Sequence, residues 1–170
     1  MEVQSLSDQK SFRGVSDSAK LWVFMSSREL SSSQEQIISN ELTEMLTHWK
    51  SHGAQVQGGF LILYKKFILV VGQLEHDGVS GCGIDSMVRS MKEISNRAGF
   101  TLSEHQNIFF KKDGNVIEVT KDAYRELVKN KEVGPETIVF NTAIQTVGEL
   151  RNGKFELMSK DSWHGKRFSA

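Results

Sequence analysis

Apolar positions recur along the chain with two different spacings, and the change of spacing marks the elements. Leu21 to Met25 is a continuous apolar run with aromatic and β-branched members, so Lys20 to Ser26 predicts a first strand. A polar connection, Arg28 to Ser33, follows. The apolar residues Ile38, Leu42, Met45, Leu46 and Trp49 then fall at offsets of 4, 7, 8 and 11, one face of an amphipathic helix. Ser32, with Glu35 three positions on, fits a capping box at its start, and Gly53 fits a C′ stop. Gly59 to Tyr64 and Phe67 to Leu74 predict a β-hairpin turning at Lys65-Lys66. Phe67 to Val71 is apolar without alternation, as a strand covered on both faces would be.

After the glycine-rich loop His76 to Gly83, the residues Ile84, Val88, Met91, Ile94 and Ala98 lie at offsets of 4, 7, 10 and 14. They predict a second helix that stops at Gly99. Asp113-Gly114 between two apolar runs, Asn107 to Lys111 and Val116 to Val119, predicts another hairpin. Thr120 can cap a helix reaching about Lys131, with Tyr124, Leu127 and Val128 inward. Pro135 opens a turn into a strand at Thr137 to Asn141, and Phe155 to Met158 has the character of a short strand.

Residues 20–111 therefore read β-α-β-β-α-β, the split βαβ order of a ferredoxin-like sheet with both helices on one face. The expected fold class is α+β. A mobile N-terminal tail covers 1–18, a ferredoxin-like core 19–111, and a small β-α-β extension packed on that core 112–170.

Bulk composition narrows the function classes. The chain has 170 residues, one domain's worth, with 21 basic and 21 acidic side chains. A net charge of zero disfavours broad attraction to nucleic acid or to an anionic membrane. Residues 1–85 carry a net −3 and 86–170 a net +3. A single cysteine forms no internal disulfide, and the first residues lack a basic and then apolar leader. No apolar run is long enough to span a bilayer. The expected location is cytoplasmic, with no membrane association and no cofactor.

The strongest chemical signal is Ser80-Gly81-Cys82-Gly83-Ile84-Asp85-Ser86, which opens the second helix. Unpaired N–H groups and partial positive charge at a helix start suit a phosphate or carboxylate, and glycines permit close approach. The bland alternative is a tight turn in which Ser80 caps the helix and Cys82 packs inside. The same field lowers a thiol pKa, so Cys82 is also a candidate nucleophile. Its candidate bases are His76, His105 and His164, with Asp85 or Asn141 as orienter. His48 and His52 share a helix face, but no second cysteine or H-E-x-x-H accompanies them, so no metal is expected. Near the end, Trp163-His164-Gly165-Lys166-Arg167-Phe168 interleaves aromatics with cations. It suits contact with an anionic ligand, or a tail that buries Trp163 and Phe168 on the sheet. Lys65-Lys66 and Lys111-Lys112 are expected to be solvated hairpin ends.

Several segments together resemble a known family: Leu21-Trp22-Val23, Tyr64-Lys65-Lys66-Phe67-Ile68, the Ser80–Ser86 stretch, the run from Asp122 to Leu127, Thr137 to Asn141, and Ser162-Trp163-His164. The chain is similar over most of 20–168 to an uncharacterised Bacteroidetes-group family whose members often carry the label "ABC transporter ATPase". The label implies ATP hydrolysis, yet no G-x-x-x-x-G-K-[ST] loop is present; the Gly-Lys pairs are Gly153-Lys154 and Gly165-Lys166. Residues 116–141 also resemble small GYF-like adaptor modules. Three readings result: a binding module for an anionic group at Ser80–Ser86, with Trp163 and His164 contributing; an enzyme with Cys82 as nucleophile and His164 as base; and a protein-interaction adaptor without a small ligand.

Overall fold

The computed structural model describes residues 12, 14–74 and 81–168, with the backbone alone at 81 and 82. The fold is α+β. Strand β1 (Lys20–Met25) leads into helix α1 (Ser32–His48), a small hairpin β2 (Lys50–Ser51) and β3 (Ala54–Gln55), then β4 (Gln57–Leu63) and β5 (Phe67–Gln73). Helix α2 (Gly81–Ala98), strands β6 (Ile108–Lys112) and β7 (Asn115–Val119), and helix α3 (Lys121–Lys129) follow. The chain closes with β8 (Ile138–Phe140), α4 (Val147–Arg151), β9 (Glu156–Met158) and α5 (Trp163–Phe168).

The first sheet is antiparallel in the order β1-β5-β4, and the second in the order β7-β6-β8-β9. Strand β5 is central, with Phe67 opposite Met25 on one side and Leu63 on the other. Its side chains alternate between two cores. Phe67, Leu69 and Val71 join Leu21, Val23 and Met25 in a core that also holds Phe109, Phe140 and Phe155 of the second sheet region. Ile68 and Val70 join Phe24 in a core closed by Ile38 and Leu42 of α1 and Met87, Met91 and Ile94 of α2. A third core, Ile108, Phe110, Tyr124, Val139 and Phe168, lies on the far face of the second sheet beneath α3 and α5. The result is four layers: helices, sheet, sheet, helices.

Several expectations are corrected. The strand at 107–111 does not complete the first sheet. Beside β1 the place is held by two isolated bridges, Lys20 to Thr146 and Ser26 to Leu102, the second with Ser27 N–H donating to Thr101 O and Ser103 N–H to Met25 O (both 2.8 Å). Ile108 and Phe110 face one core and Phe109 another, so both faces of this strand are buried, inside a second sheet between β7 and β8. Residues 12 and 14–18, expected in a mobile tail, are docked. Phe12 is buried in the inter-sheet core, and Arg151 donates to Asp17 Oδ1 (2.6 Å) and Phe12 O (3.0 Å). Residues 1–11 lie outside the described residues. Gly53 does not end α1; with His52 it forms the left-handed turn of the β2–β3 hairpin. Helix α4 falls where no element was expected; Thr146 caps it through a capping box with Glu149.

The hairpin lysines are not solvated ends as a group. Tyr64 (φ 54°) and Lys65 (φ 49°) occupy the left-handed turn positions, and Lys66 N–H donates to Leu63 O (3.0 Å). This turn sends Lys66 inward, 6% exposed, to Glu118 Oε2 (3.1 Å). Glu118 also accepts from Ser103 Oγ (2.9 Å) and Asn107 Nδ2 (2.8 Å), so its carboxylate is well satisfied. Nearby, Lys111 and Tyr64 both donate to Glu156, and the Lys111 ammonium sits 4.7 Å from the Tyr64 ring centre. Both charge clusters stitch the hairpin of the first sheet to strands of the second. Among the described residues, no helix is long and apolar enough to cross a membrane.

Removing one member of a buried ion pair strands the other charge, whereas replacing both with apolar groups is far milder. Glu118→Leu is therefore expected to cost about 3–5 kcal/mol in urea unfolding, and Lys66→Met/Glu118→Leu at least ~1.5 kcal/mol less than that single change. Equal losses in the two variants would show that the pair does not hold this seam.

Candidate functional site

A polar cleft of about 470 Å³ lies at the end of the helical layer where α1 begins and α2 ends. Its construction starts with β1. Ser26, fully buried, donates its N–H to Lys66 O (2.8 Å), and Leu30 N–H donates to Lys65 O (2.7 Å). The chain between them is thus held at both ends while Ser27, Arg28 and Glu29 stay exposed along the cleft. Gly99, with φ 73°, lets the chain turn out of α2, and Phe100 and Thr101 form the opposite wall.

Gln34 is the tie that fixes this end. The N-cap of α1 is Ser31, one residue before the expected Ser32, and Gln34 replaces Glu35 as the reciprocal partner. Gln34 Oε1 accepts from Ser31 N–H (3.0 Å), while its Nε2 donates to Ala98 O (3.2 Å) and Gly99 O (3.0 Å). A glutamate has no proton to give those carbonyls, so only the amide both closes the box and caps α2. The negative end of α2 is thereby satisfied, and the positive end of α1 remains beside the cleft. Glu29 is drawn toward Lys65 (3.8 Å). Arg28 has no ion-pair partner among the described residues. Sequence reading treated Arg28 to Ser33 as a plain connection. The available signal was the second S-x-x-Q spacing at Ser31–Gln34.

The sequence-predicted site residues are scattered. Ser80 and His76 lie outside the described residues, as do the side chains of Gly81 and Cys82. Gly83 is buried, and its carbonyl accepts the Trp49 indole N–H (3.1 Å); Asp85 and Ser86 are exposed on the first turns of α2. Because α1 and α2 run antiparallel, this helix start lies at the opposite end of the layer from the Arg28 cleft. His48 ends α1 and His52 sits in the β2–β3 turn, while His105 is exposed in the turn before β6.

His164 and Trp163 belong to α5, beyond the second sheet, whereas α2 lies beyond the first. Both sheets separate His164 from the α2 backbone that carries Cys82, so the fold does not bring the expected base to the expected nucleophile. His164 is 1% exposed, packed between the Trp163 ring (centroids 3.8 Å apart) and Tyr124 (6.1 Å). Its Nδ1 lies 2.6 Å from Ser162 Oγ, a serine–histidine pair in hydrogen-bond reach. That serine also receives His164 N–H (3.4 Å) at the start of α5 and is itself buried, so no substrate reaches it. Burial pushes the His164 pKa down to about 4, leaving the ring neutral near pH 7. Phe168 is buried as expected for a covering tail, but Trp163 stays 37% exposed, its indole N–H held by Asn141 Oδ1 (3.2 Å).

The Tyr64–Lys111–Glu156 cluster is similarly self-contained. Burial, then the Glu156 carboxylate, raises the Tyr64 pKa. Burial opposes the Lys111 charge, but Glu156 and Tyr64 outweigh it and its pKa also rises. Each group is occupied by the others. Among the described residues, no three His, Cys, Asp or Glu side chains gather as metal ligands. Comparison with known proteins gives no match to a family model, to a curated protein or to a solved structure.

The depressed His164 pKa has a definite sign. Unfolded, the ring titrates near 6.5; folded, near 4. Between these values the unfolded chain binds more protons, so stability is full above about pH 6.5 and falls as pH drops toward 4. The full window is worth about 3 kcal/mol at about 1.4 kcal/mol per unit. Urea midpoints measured from pH 7 to 4.5 should decline more steeply in wild type than in His164→Gln; parallel slopes would contradict the burial argument.

Proposed function

We propose that this protein is a binding module for an anionic group, and that the cleft between the start of α1 and the end of α2 receives it. The observation that carries this reading is Arg28, a guanidinium without an ion-pair partner among the described residues, at a cleft of about 470 Å³. A guanidinium offers a planar fork of donors matched to carboxylate or phosphate oxygens. Ser27 and Thr101 supply hydroxyls beside it, and the α1 dipole favours negative charge at this end. Glu29 also lines the cleft, and its pull toward Lys65 reduces its opposition to an incoming anion. Gln34 supports the site by occupying the α2 carbonyls that would repel it. The reading retains a helix start as the source of positive potential but moves the emphasis from Ser80–Ser86 to Arg28.

The enzyme reading with Cys82 and His164 loses its support from the placement of those residues on opposite outer layers. An adaptor function needs no small ligand and is compatible with the same fold.

A thermal-shift series with phosphate, sulfate and small di- and tricarboxylates tests the reading, because a ligand that binds the native state raises the melting temperature. Arg28→Ala should weaken binding about tenfold or more, the scale of a charged hydrogen bond. Glu29→Gln should strengthen it. A response that survives Arg28→Ala but disappears in Ser80→Ala would move the site to the start of α2. No response in wild type would end the anion reading.

A further inference from the structure

The Arg28 cleft carries charge of both signs. Its lining holds one guanidinium, Arg28, and one carboxylate, Glu29, and the other side chains along it are uncharged. The two are neighbours on a short segment tied at both ends, by Ser26 N–H to Lys66 O (2.8 Å) and Leu30 N–H to Lys65 O (2.7 Å). Arg28 N–H also reaches back to Ser26 Oγ (3.4 Å). Both charges are thus anchored to one rim of the cleft. Gln34 adds nothing for a ligand to use, since its amide is occupied by Ser31 N–H and by the carbonyls of Ala98 and Gly99.

Neither charge is firmly neutralised by the fold. Arg28 has no ion-pair partner among the described residues. Glu29 has Lys65 at 3.8 Å, with the two side chains 72% and 52% exposed. An exposed pair at that distance holds its members weakly. A simple anion engages only the Arg28 half of this arrangement and meets repulsion from Glu29. A ligand with one negative and one positive group a few ångströms apart satisfies both. On the opposite wall stands Phe100, half-buried against the helical core, with the rest of its ring toward the cleft. A volume of about 470 Å³ suits a small molecule.

We propose that the ligand of this cleft is a zwitterion, an α-amino acid with an apolar side chain. The inference rests on the anion-binding reading and narrows it. The α-carboxylate accepts a forked pair of hydrogen bonds from Arg28, the α-ammonium donates to Glu29 in place of Lys65, and the side chain lies against Phe100. Charge complementarity selects this class: one cation and one anion on the rim call for one of each on the ligand.

Isothermal titration of the full chain with three probes tests this: L-phenylalanine, N-acetyl-L-phenylalanine, which keeps the carboxylate but has no ammonium, and L-phenylalanine amide, which keeps the ammonium but has no carboxylate. At about pH 6 the free α-amines are protonated. The free amino acid should bind about tenfold tighter than either derivative, the scale of one charged hydrogen bond. Glu29→Gln should abolish its advantage over the N-acetyl form, and Arg28→Ala its advantage over the amide. Both residues are exposed, so neither change removes a buried contact. The zwitterion is overturned, and the anion reading kept, if the N-acetyl form binds as tightly as the free amino acid and Arg28→Ala weakens both. It is likewise overturned if Glu29→Gln leaves the wild-type preference intact, or if none of the three binds while phosphate or a carboxylate still raises the melting temperature. Binding of the amide alone, unchanged in Arg28→Ala, would overturn both.

Discussion

Phe67 is where the structure is decided. It sits at the first position of the central strand, fully buried, with its ring centre 5.4 Å from Phe109, 4.7 Å from Phe140 and 5.2 Å from Phe155. Those three residues come from three separate segments of the second half of the chain. Edge and tilted ring contacts of this kind add to a large burial of apolar area. They explain why the second sheet packs face to face on the first instead of standing apart. Since Ile68 and Val70 on the other side of the same strand need equal cover, α1 and α2 are forced onto the opposite face. Four layers follow from one strand that is apolar on both sides.

Charge is placed at the rim of this arrangement rather than through it. The β4–β5 turn adopts left-handed geometry at Tyr64 and Lys65, which projects Tyr64 and Lys66 toward the second sheet. Each finds a glutamate there. These groups look like chemistry in a list of residues, but they are saturated by one another and fasten the sheets together. His164 is the same kind of case. Its pairing with Ser162 has catalytic spacing, and its burial makes it a packing element of the outermost helix. Arg28, by contrast, is exposed at one end of the helical layer and has no ion-pair partner among the described residues.

Gln34 links the fold to the candidate site. One amide closes the capping box of α1 and covers the last carbonyls of α2, so the two helix ends meet with both capped. The cleft lies beside this junction. Its walls are short segments just outside regular elements, Ser26 to Glu29 and Gly99 to Thr101, held by backbone bonds to the β4–β5 turn and to each other. A rigid frame thus presents flexible polar side chains, a common division of labour at binding surfaces.

Local spacing was enough to place most elements. The offsets from Ile38 to Trp49 and from Ile84 to Ala98, the doubly apolar Phe67 to Val71, the Asp113-Gly114 turn and the Thr120 cap each depend on neighbours within a few residues. Such signals survive without knowledge of the rest of the chain. Ile108-Phe109-Phe110 also announced a buried strand, but not which sheet would bury it, because pairing is a choice among distant partners. Phe12 and Lys66 were misread for the same reason: one apolar residue in a polar stretch, or one lysine in a turn, has a local meaning that long-range contacts overrode. The separation of His164 from α2, and the meeting of Arg28 with the end of α2, were likewise decided by tertiary structure alone. Composition and periodicity report what each segment needs to bury or solvate; only the packed chain determines which distant segment supplies it.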